Sequence, residues 1–418
     1  MPYVESPPKR VRALILGGGI HGVGVLHDLV SRGFKDVFLC EKNGLGSGTS
    51  SRSTKLIHGG LRYLKRISDF PLVSEALRER RLLLSLAPDI VHPLELYLPL
   101  LEHGGEKSWM VRAGLTLYDV LAGKQGIQRH RKLLPSQALL KAPVLDESKF
   151  PVVYSFWDAQ TDDMALVHRV AASAVAHGGR INEACEVLSV QPGDDGWIAE
   201  VRQPDGQIKS VSALYVINTL GPWSNLFLEK NGLEPMLKGI NNKGVHCVFP
   251  DIGLRVGLFL QSPDDGRIFF LLPWNGKTLL GTTEEEFTGN PDHLQVTPED
   301  VKYLLNRCNP YLKTPLTEDQ MICAFAGLRW LAVEKNKGIS GLSRDHRLSE
   351  HSSGRGLLLT LYGGKLTCYR SLSEAIGDRV TNHFGEFRPS RTKEAGFWIR
   401  PEDQGKFHEV PDLDKRFA

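Results

Sequence analysis

The chain has 418 residues, 41% of them apolar, and 51 Lys and Arg against 48 Asp and Glu leave a formal net charge of +3. That length suits two domains with sizeable cores, and the near balance of charge excludes a dedicated nucleic-acid binder, which carries a basic excess. Six scattered cysteines without a CxxC pair argue against zinc, thioredoxin-like chemistry and a disulfide framework, so free thiols in a reducing cytoplasm and no metal are expected.

No run approaches the roughly 18 apolar residues that span a bilayer. Residues 1–12 hold Glu5, three prolines and three basic residues, without the apolar core of a signal peptide, and read as a short flexible tail. Residues 13–16 form an apolar run closed by Gly17, which suits a buried parallel strand. Residues 20–30 carry apolar side chains at helical spacing, and Arg32-Gly33 fits a helix end. Residues 37–40 read as a second buried strand, closed by Glu41. Strand, helix, strand in that order implies a right-handed parallel crossover.

Gly17, Gly19 and Gly22 stand at GxGxxG spacing between the first strand and the helix. The first glycine makes the tight turn, the second lets backbone amides approach a pyrophosphate, and the third lets helix and strand pack closely. Glu41 follows at the end of the second strand, where a carboxylate accepts hydrogen bonds from ribose hydroxyls and repels a 2′-phosphate. The motif alone permits NAD or FAD. The Gly/Ser/Thr-rich stretch that follows, with Thr49, Ser50, Ser51, Lys55, His58 and Gly59, offers hydroxyls and amides for a second phosphate and a ribityl chain, and favours FAD.

Further on, residues 72–86 look helical and 94–101 strand-like. Residues 165–177 read as a helix with Asp162 or Asp163 as N-cap. Residues 186–190, 197–201 and 213–218 read as strands, and 245–249, 268–273 and 278–281 as strands of an antiparallel sheet. A helix over 299–308 starts at Thr297, a strand covers 357–361, and a helix follows over 367–384. From Arg388 the chain turns polar and irregular, and there are no internal repeats.

Two further turns stand out. Gly221-Pro222-Trp223 follows a strand and suits the place where the chain returns beneath a flavin. Gly363, Gly364, Lys365, Leu366 and Thr367 lie between a strand and a helix, where helix-start amides would stabilise a reduced flavin and Lys365 would meet an anionic substrate.

The glycine fingerprint with Glu41, the run 50–63 ending His58-Gly59-Gly60-Leu61-Arg62-Tyr63, the turn at Gly221 and Trp223, Gly327-Leu328-Arg329, and Ser343-Arg344-Asp345 with residues 363–367 together resemble FAD-dependent glycerol-3-phosphate dehydrogenases of the quinone-linked, aerobic type. The likeness runs from residue 13 to residue 384. It implies a mixed α/β and α+β architecture: a Rossmann-type FAD-binding domain of the amine-oxidase-like flavoprotein fold, with an inserted antiparallel-sheet substrate domain. The expected segments are 11–80, 154–224 and 338–386 for the flavin domain, 81–153 and 225–337 for the substrate domain, and tails at 1–10 and 387–418.

The resemblance also implies a reaction. Glycerol 3-phosphate would lose a hydride from C2 to FAD and a hydroxyl proton to a base, giving dihydroxyacetone phosphate, and a quinone would take the electrons. Arg329 and Arg344 match the family's cationic positions for a phosphate, with Arg62 and Tyr63 beside them, and guanidinium is the better fork for that anion. His246 matches an active-site histidine of the family, although a core histidine between Val245 and Cys247 is the competing reading. Arg329 lies in an apolar stretch where an unpartnered charge would be costly. A cytoplasmic enzyme resting on the membrane face through basic patches is the expected location. An oxidase using oxygen, and a flavin-binding relative without this activity, are the alternatives. The resemblance also implies a further helical domain after the flavin domain, which is not expected within these 418 residues.

Overall fold

The structure, a computed structural model, describes residues 3–102, 106–262, 264–333, 342 and 345–406. The first crossover forms as expected: β1 (Arg10–Leu16), α1 (Ile20–Ser31) and β2 (Val37–Glu41). β1 is buried from residue 13 onward, which explains why its sequence is a continuous apolar run and not an alternation.

Five parallel strands make the centre of the first sheet, in the order Gly356–Tyr362, Ile208–Asn218, β1, β2, Arg180–Glu183. Arg347–Ser353 adds an antiparallel edge, and the hairpin Glu186–Gly193 with Gly196–Arg202 extends Ile208–Asn218. In register, Leu16 lies beside Cys40 and Asn218, and Asn218 beside Thr360. The carboxyl ends of four strands therefore finish at one level, the place where open α/β sheets bind ligands.

The helices α1, Asp163–Ala176 and Tyr369–His383 cover one face of this sheet through Leu26, Leu29, Leu166, Val170, Leu372 and Ile376. Of the two N-cap candidates, Asp162 caps the middle helix by accepting from the Ala165 amide at 2.9 Å, and Asp163 turns into the core.

The second sheet has ten strands, antiparallel except where Gly257–Gln261 runs parallel to Val91–Leu100. The three expected strands lie within it as Gly239–Pro250, Ile268–Trp274 and Lys277–Gly281. Thr297 caps the helix Pro298–Cys308 as its sequence implies. The strand Val152–Thr161 belongs to this sheet, paired along its length with Val91–Leu100, so the expected boundary at 154 falls inside a strand. The expected break at 80 likewise falls within the helix Phe70–Leu86.

Neither described tail is free. Val4 bridges Asn182 on the outer strand of the first sheet, because an unpaired strand edge offers backbone donors and acceptors that the first residues satisfy. At the other end Trp398 and Ile399 are buried. Trp398 joins the core beneath α1, and the Ile399 amide donates to Ser173 Oγ at 2.9 Å. Polar contacts join these apolar ones, Ser390 Oγ donating to Asp28 Oδ1 at 2.6 Å and Arg370 Nη1 to Thr392 Oγ1 at 3.0 Å, and together they dock a segment whose composition reads as irregular.

One buried ion pair ties the two sheets together. Lys55 Nζ donates to both carboxylate oxygens of Asp163 at 2.8 Å and to the Ser51 carbonyl at 2.5 Å. Asp163 also accepts from the amide and hydroxyl of Ser53. Both charged side chains are fully buried. Removing one member of such a pair leaves an uncompensated charge in the core, at a cost of about 3–5 kcal/mol. Lys55→Met should therefore lower the free energy of unfolding in urea by about that amount. Lys141→Met, at the solvent-facing pair with Glu95, should change it by about 1 kcal/mol or less.

Candidate active site

The carboxyl ends of the first sheet open into a cavity of about 1340 Å³ that continues beneath the second sheet. Drug-sized ligand pockets span roughly 300–1,000 Å³, so this one has room for a dinucleotide and a further small molecule. The glycine turn forms its floor. Gly22 sits so close to the preceding turn that a Cβ would lie 1.9 Å from the Gly17 carbonyl oxygen. Gly19 caps α1 without a side chain, and Ser50 Oγ accepts the Ile20 amide at 2.9 Å, so the positive end of the helix faces the cavity.

Glu41 stands at the end of β2 and accepts from the amides of Gly18 at 2.7 Å and Asn43 at 2.9 Å. Burial pushes its carboxyl up, and the two amides oppose that shift. Trp223 closes the same side, its Nε1 donating to Asp292 at 2.9 Å, and Lys42 binds the same carboxylate oxygen at 3.0 Å.

The far end of the cavity is cationic. Lys365 Nζ is buried without a hydrogen-bond partner in the protein and lies 4.1 Å from the centroid of the Tyr63 ring. Burial lowers its pKa to about 8. Arg329 lies on the strand Cys323–Ala332, and its Nη2 is buried with no hydrogen-bond partner in the protein. Burial lowers the Arg329 pKa as well. His246 stacks on Phe325 at 5.1 Å between ring centroids, and its Nε2 meets Thr54 Oγ1 at 3.0 Å. Burial, with Lys55 and Arg329 nearby, pushes His246 well below the usual imidazole range, and its Nδ1 has no hydrogen-bond partner in the protein. His58 is lowered to about 3, again chiefly by burial.

Most of the expected residues meet on this cavity: Gly17, Gly19, Glu41, Thr49, Ser50, His58, Tyr63, Gly221, Trp223, His246, Arg329, Gly364, Lys365, Leu366 and Thr367 all line it. Others serve from behind. Gly22 packs on the turn, and Ser51 and Lys55 point into the core around Asp163, so Lys55 holds the loop and does not reach a cofactor. The Gly59 amide donates to Tyr118 Oη at 2.9 Å and Asp158 Oδ1 at 3.1 Å, inside a network that includes Arg80. Arg62 is ion-paired to the buried carboxylate of Glu284 at 3.1 Å and lies off the cavity wall. Arg344 lies outside the described residues.

Sequence reasoning missed Thr54, which orients His246, and Asp158 and Glu284, which hold Gly59 and Arg62. Thr54 sat inside a run already singled out. No local pattern marks the two carboxylates, which are brought in from a strand and a loop far along the chain.

A glycine-turn cradle at a helix start, a ribose-facing carboxylate and an anion-seeking end in one long cavity define a dinucleotide-dependent oxidoreductase. The family model described as FAD dependent oxidoreductase matches residues 12–370. Among curated proteins, the glycerol-3-phosphate dehydrogenase of Pseudomonas aeruginosa is 35% identical over 384 residues, covering 91% of this chain and 73% of that protein. The aerobic glycerol-3-phosphate dehydrogenase of Escherichia coli is 34% identical, with coverage of 91% and 75%. The D-erythritol 1-phosphate dehydrogenase of Brucella abortus is also 34% identical, with coverage of 93% and 77%. A crystal structure of glycerol-3-phosphate dehydrogenase from Bacillus halodurans complexed with FAD superposes with a TM-score of 0.74 at 27% identity, covering 93% of this chain and 68% of that one.

The chain belongs to the family of FAD-dependent oxidoreductases, and its cofactor is FAD. The residues present fit that group. The start of α1 would face the pyrophosphate, Glu41 the ribose, and Lys365, whose Nζ has no hydrogen-bond partner, with Thr367 the end where negative charge develops on the reduced ring.

The closest test of the cradle is Gly22→Ala. The new Cβ would meet backbone, which cannot yield as a flexible side chain can. The purified variant should carry less than a tenth of the wild-type flavin absorbance per chain, as a displaced phosphate-binding turn would require. Wild-type flavin content would show that the turn does not hold the cofactor.

Proposed function

We propose that the protein oxidises sn-glycerol 3-phosphate to dihydroxyacetone phosphate and passes the electrons to a quinone. One observation carries the substrate: the spacing of Arg329 and His246. Their strands pair so that Arg329 lies opposite Asn242 and His246 opposite Phe325. The Arg329 side chain leans over Gly244, where a Cβ would stand 2.8 Å from its Nη2. Gly244 and His246 are two residues apart and share a face of the strand, which places them roughly 7 Å apart along it. A cation seeking an anion and an imidazole free to take a proton thus face one cavity at about the span of a short polyol phosphate.

Bound FAD supplies the two-electron acceptor. The protein does the rest. His246 is neutral because of its burial, so Nδ1 is free to accept the hydroxyl proton while Nε2 remains engaged with Thr54 Oγ1. Arg329 binds the phosphate, which supplies the charge partner that its buried Nη2 lacks within the protein. Arg62, fixed by Glu284, adds positive potential from behind Tyr63. Similarity to a D-erythritol 1-phosphate dehydrogenase shows that the sugar-alcohol part must be tested directly.

Anaerobic addition of glycerol 3-phosphate to the holoenzyme should bleach the flavin rapidly, and faster than D-erythritol 1-phosphate does. Bleaching by the erythritol ester alone would overturn the assignment. Arg329→Ala should lower kcat/KM by roughly 10²-fold or more, mostly through KM, as expected for truncating one side of a buried charge pair. His246→Asn should lower kcat by about 10²- to 10⁴-fold with flavin retained, the range for losing a general base. An unchanged kcat would assign proton removal elsewhere.

Peripheral membrane contact is part of the same proposal. Among the described residues no helix is long and apolar enough to cross a membrane. The helix Ser108–Ala122 instead exposes Trp109, Met110 and Val120 beside Arg112, with Lys107 and Lys124 at its two ends. Apolar side chains flanked by cations suit an anionic lipid surface. The protein should float with anionic liposomes at low salt, and Trp109→Ser with Val120→Asp should abolish flotation. Equal flotation of the double variant would remove this helix from the contact.

A further inference from the structure

We propose that Cys40 and Cys185 form an oxidisable dithiol in the wall of the nucleotide cavity, which a small peroxide converts to a disulfide that weakens the hold on FAD. The two residues come from different parts of the sheet. Cys40 precedes Glu41 at the end of β2, and Cys185 follows the neighbouring parallel strand Arg180–Glu183 by two residues. Their Sγ atoms are 3.6 Å apart, both residues are 1% exposed, and both line the cavity.

The surroundings make this pair consequential. The Cys185 amide donates to the Glu41 carbonyl at 2.7 Å, so both thiols are attached to the backbone that presents the Glu41 carboxylate. That carboxylate in turn holds the Gly18 amide at 2.7 Å. Disulfide sulfurs are about 2.05 Å apart, so closing this pair draws the two sulfurs together by roughly 1.5 Å and pulls on the segments that carry them. The end of β2 and the residue it offers to the nucleotide would move with it.

Burial selects the oxidant. With both thiols 1% exposed, a small neutral molecule such as hydrogen peroxide is the oxidant proposed. The hydrogen bond between the sulfurs couples the two thiols, so either can be the attacking group, here Cys185. Its sulfur displaces water from peroxide as the O–O bond breaks, leaving a sulfenic acid. The Cys40 sulfur then displaces the hydroxyl as a second water and the S–S bond forms. Two electrons and two protons pass from the two thiols to one peroxide.

The test uses the holoenzyme and needs no turnover. After peroxide treatment, non-reducing peptide mapping by mass spectrometry locates cross-links, and fluorescence of the filtrate measures released flavin. The expected result is a Cys40–Cys185 cross-linked peptide and a flavin dissociation constant about tenfold higher. Dithiothreitol should reverse both changes, and Cys40→Ser and Cys185→Ser should show neither. The proposal fails if no such cross-link forms, if peroxide links other cysteines instead, if the cross-linked protein binds FAD as before, or if the serine variants lose flavin equally on treatment.

Discussion

The site depends on the buried pair between Lys55 and Asp163. Residues 49–57 leave the nucleotide turn, supply Ser50 to the start of α1, and then join the second sheet through Leu56 and Ile57 beside Gln160 and Ala159. This segment is the hinge between the two halves of the cavity. Lys55 adopts a positive φ and inserts its amine where Asp163, Ser51 and Ser53 converge. Because the ammonium is fully satisfied by the loop and the helix Asp163–Ala176, the loop has a single well-defined course. Thr54, one residue earlier, is thereby presented to His246.

Charge is distributed unevenly along the cavity. At the nucleotide end the Glu41 carboxylate is engaged by backbone amides and the start of α1 by the Ser50 hydroxyl. At the other end, the cations Lys365 and Arg329 present buried nitrogens without protein partners, while the imidazoles nearby are kept neutral by burial. Burying unpartnered cations opposes folding, and it is tolerated where an anionic ligand supplies the missing charge. Arg62 shows the contrasting case: Glu284 already neutralises it, and it lies off the wall.

The legible parts of the sequence were the local ones. The strand, turn and helix around Gly17, Gly19 and Gly22 follow from spacing and close packing, and Glu41 follows from its place at a strand end. The Lys365 turn was readable for the same reason. Lys55 was not, because a motif shows that a side chain matters without showing which way it points. The strand Val152–Thr161 was hidden by Ser155, Asp158 and Gln160, which are buried polar residues, so the sequence lacks a clean apolar pattern. Arg80 and Tyr118, which satisfy Asp158, come from separate helices, and such pairings have no local signature. The order of the second sheet was illegible for the same reason, since its contacts join segments far apart in the chain.

Arg329 reaching across Gly244 toward His246 has a consequence for how such a site diversifies. The distance between the guanidinium and the imidazole is set by strand pitch, so it changes only in steps of two residues along one face. A flexible guanidinium can adjust within a step but not across one. For the proposed binding of a phosphorylated polyol between these two groups, substrates differing by a carbon or so fall within the reach of a single scaffold, and discrimination among them passes to the walls of the cavity.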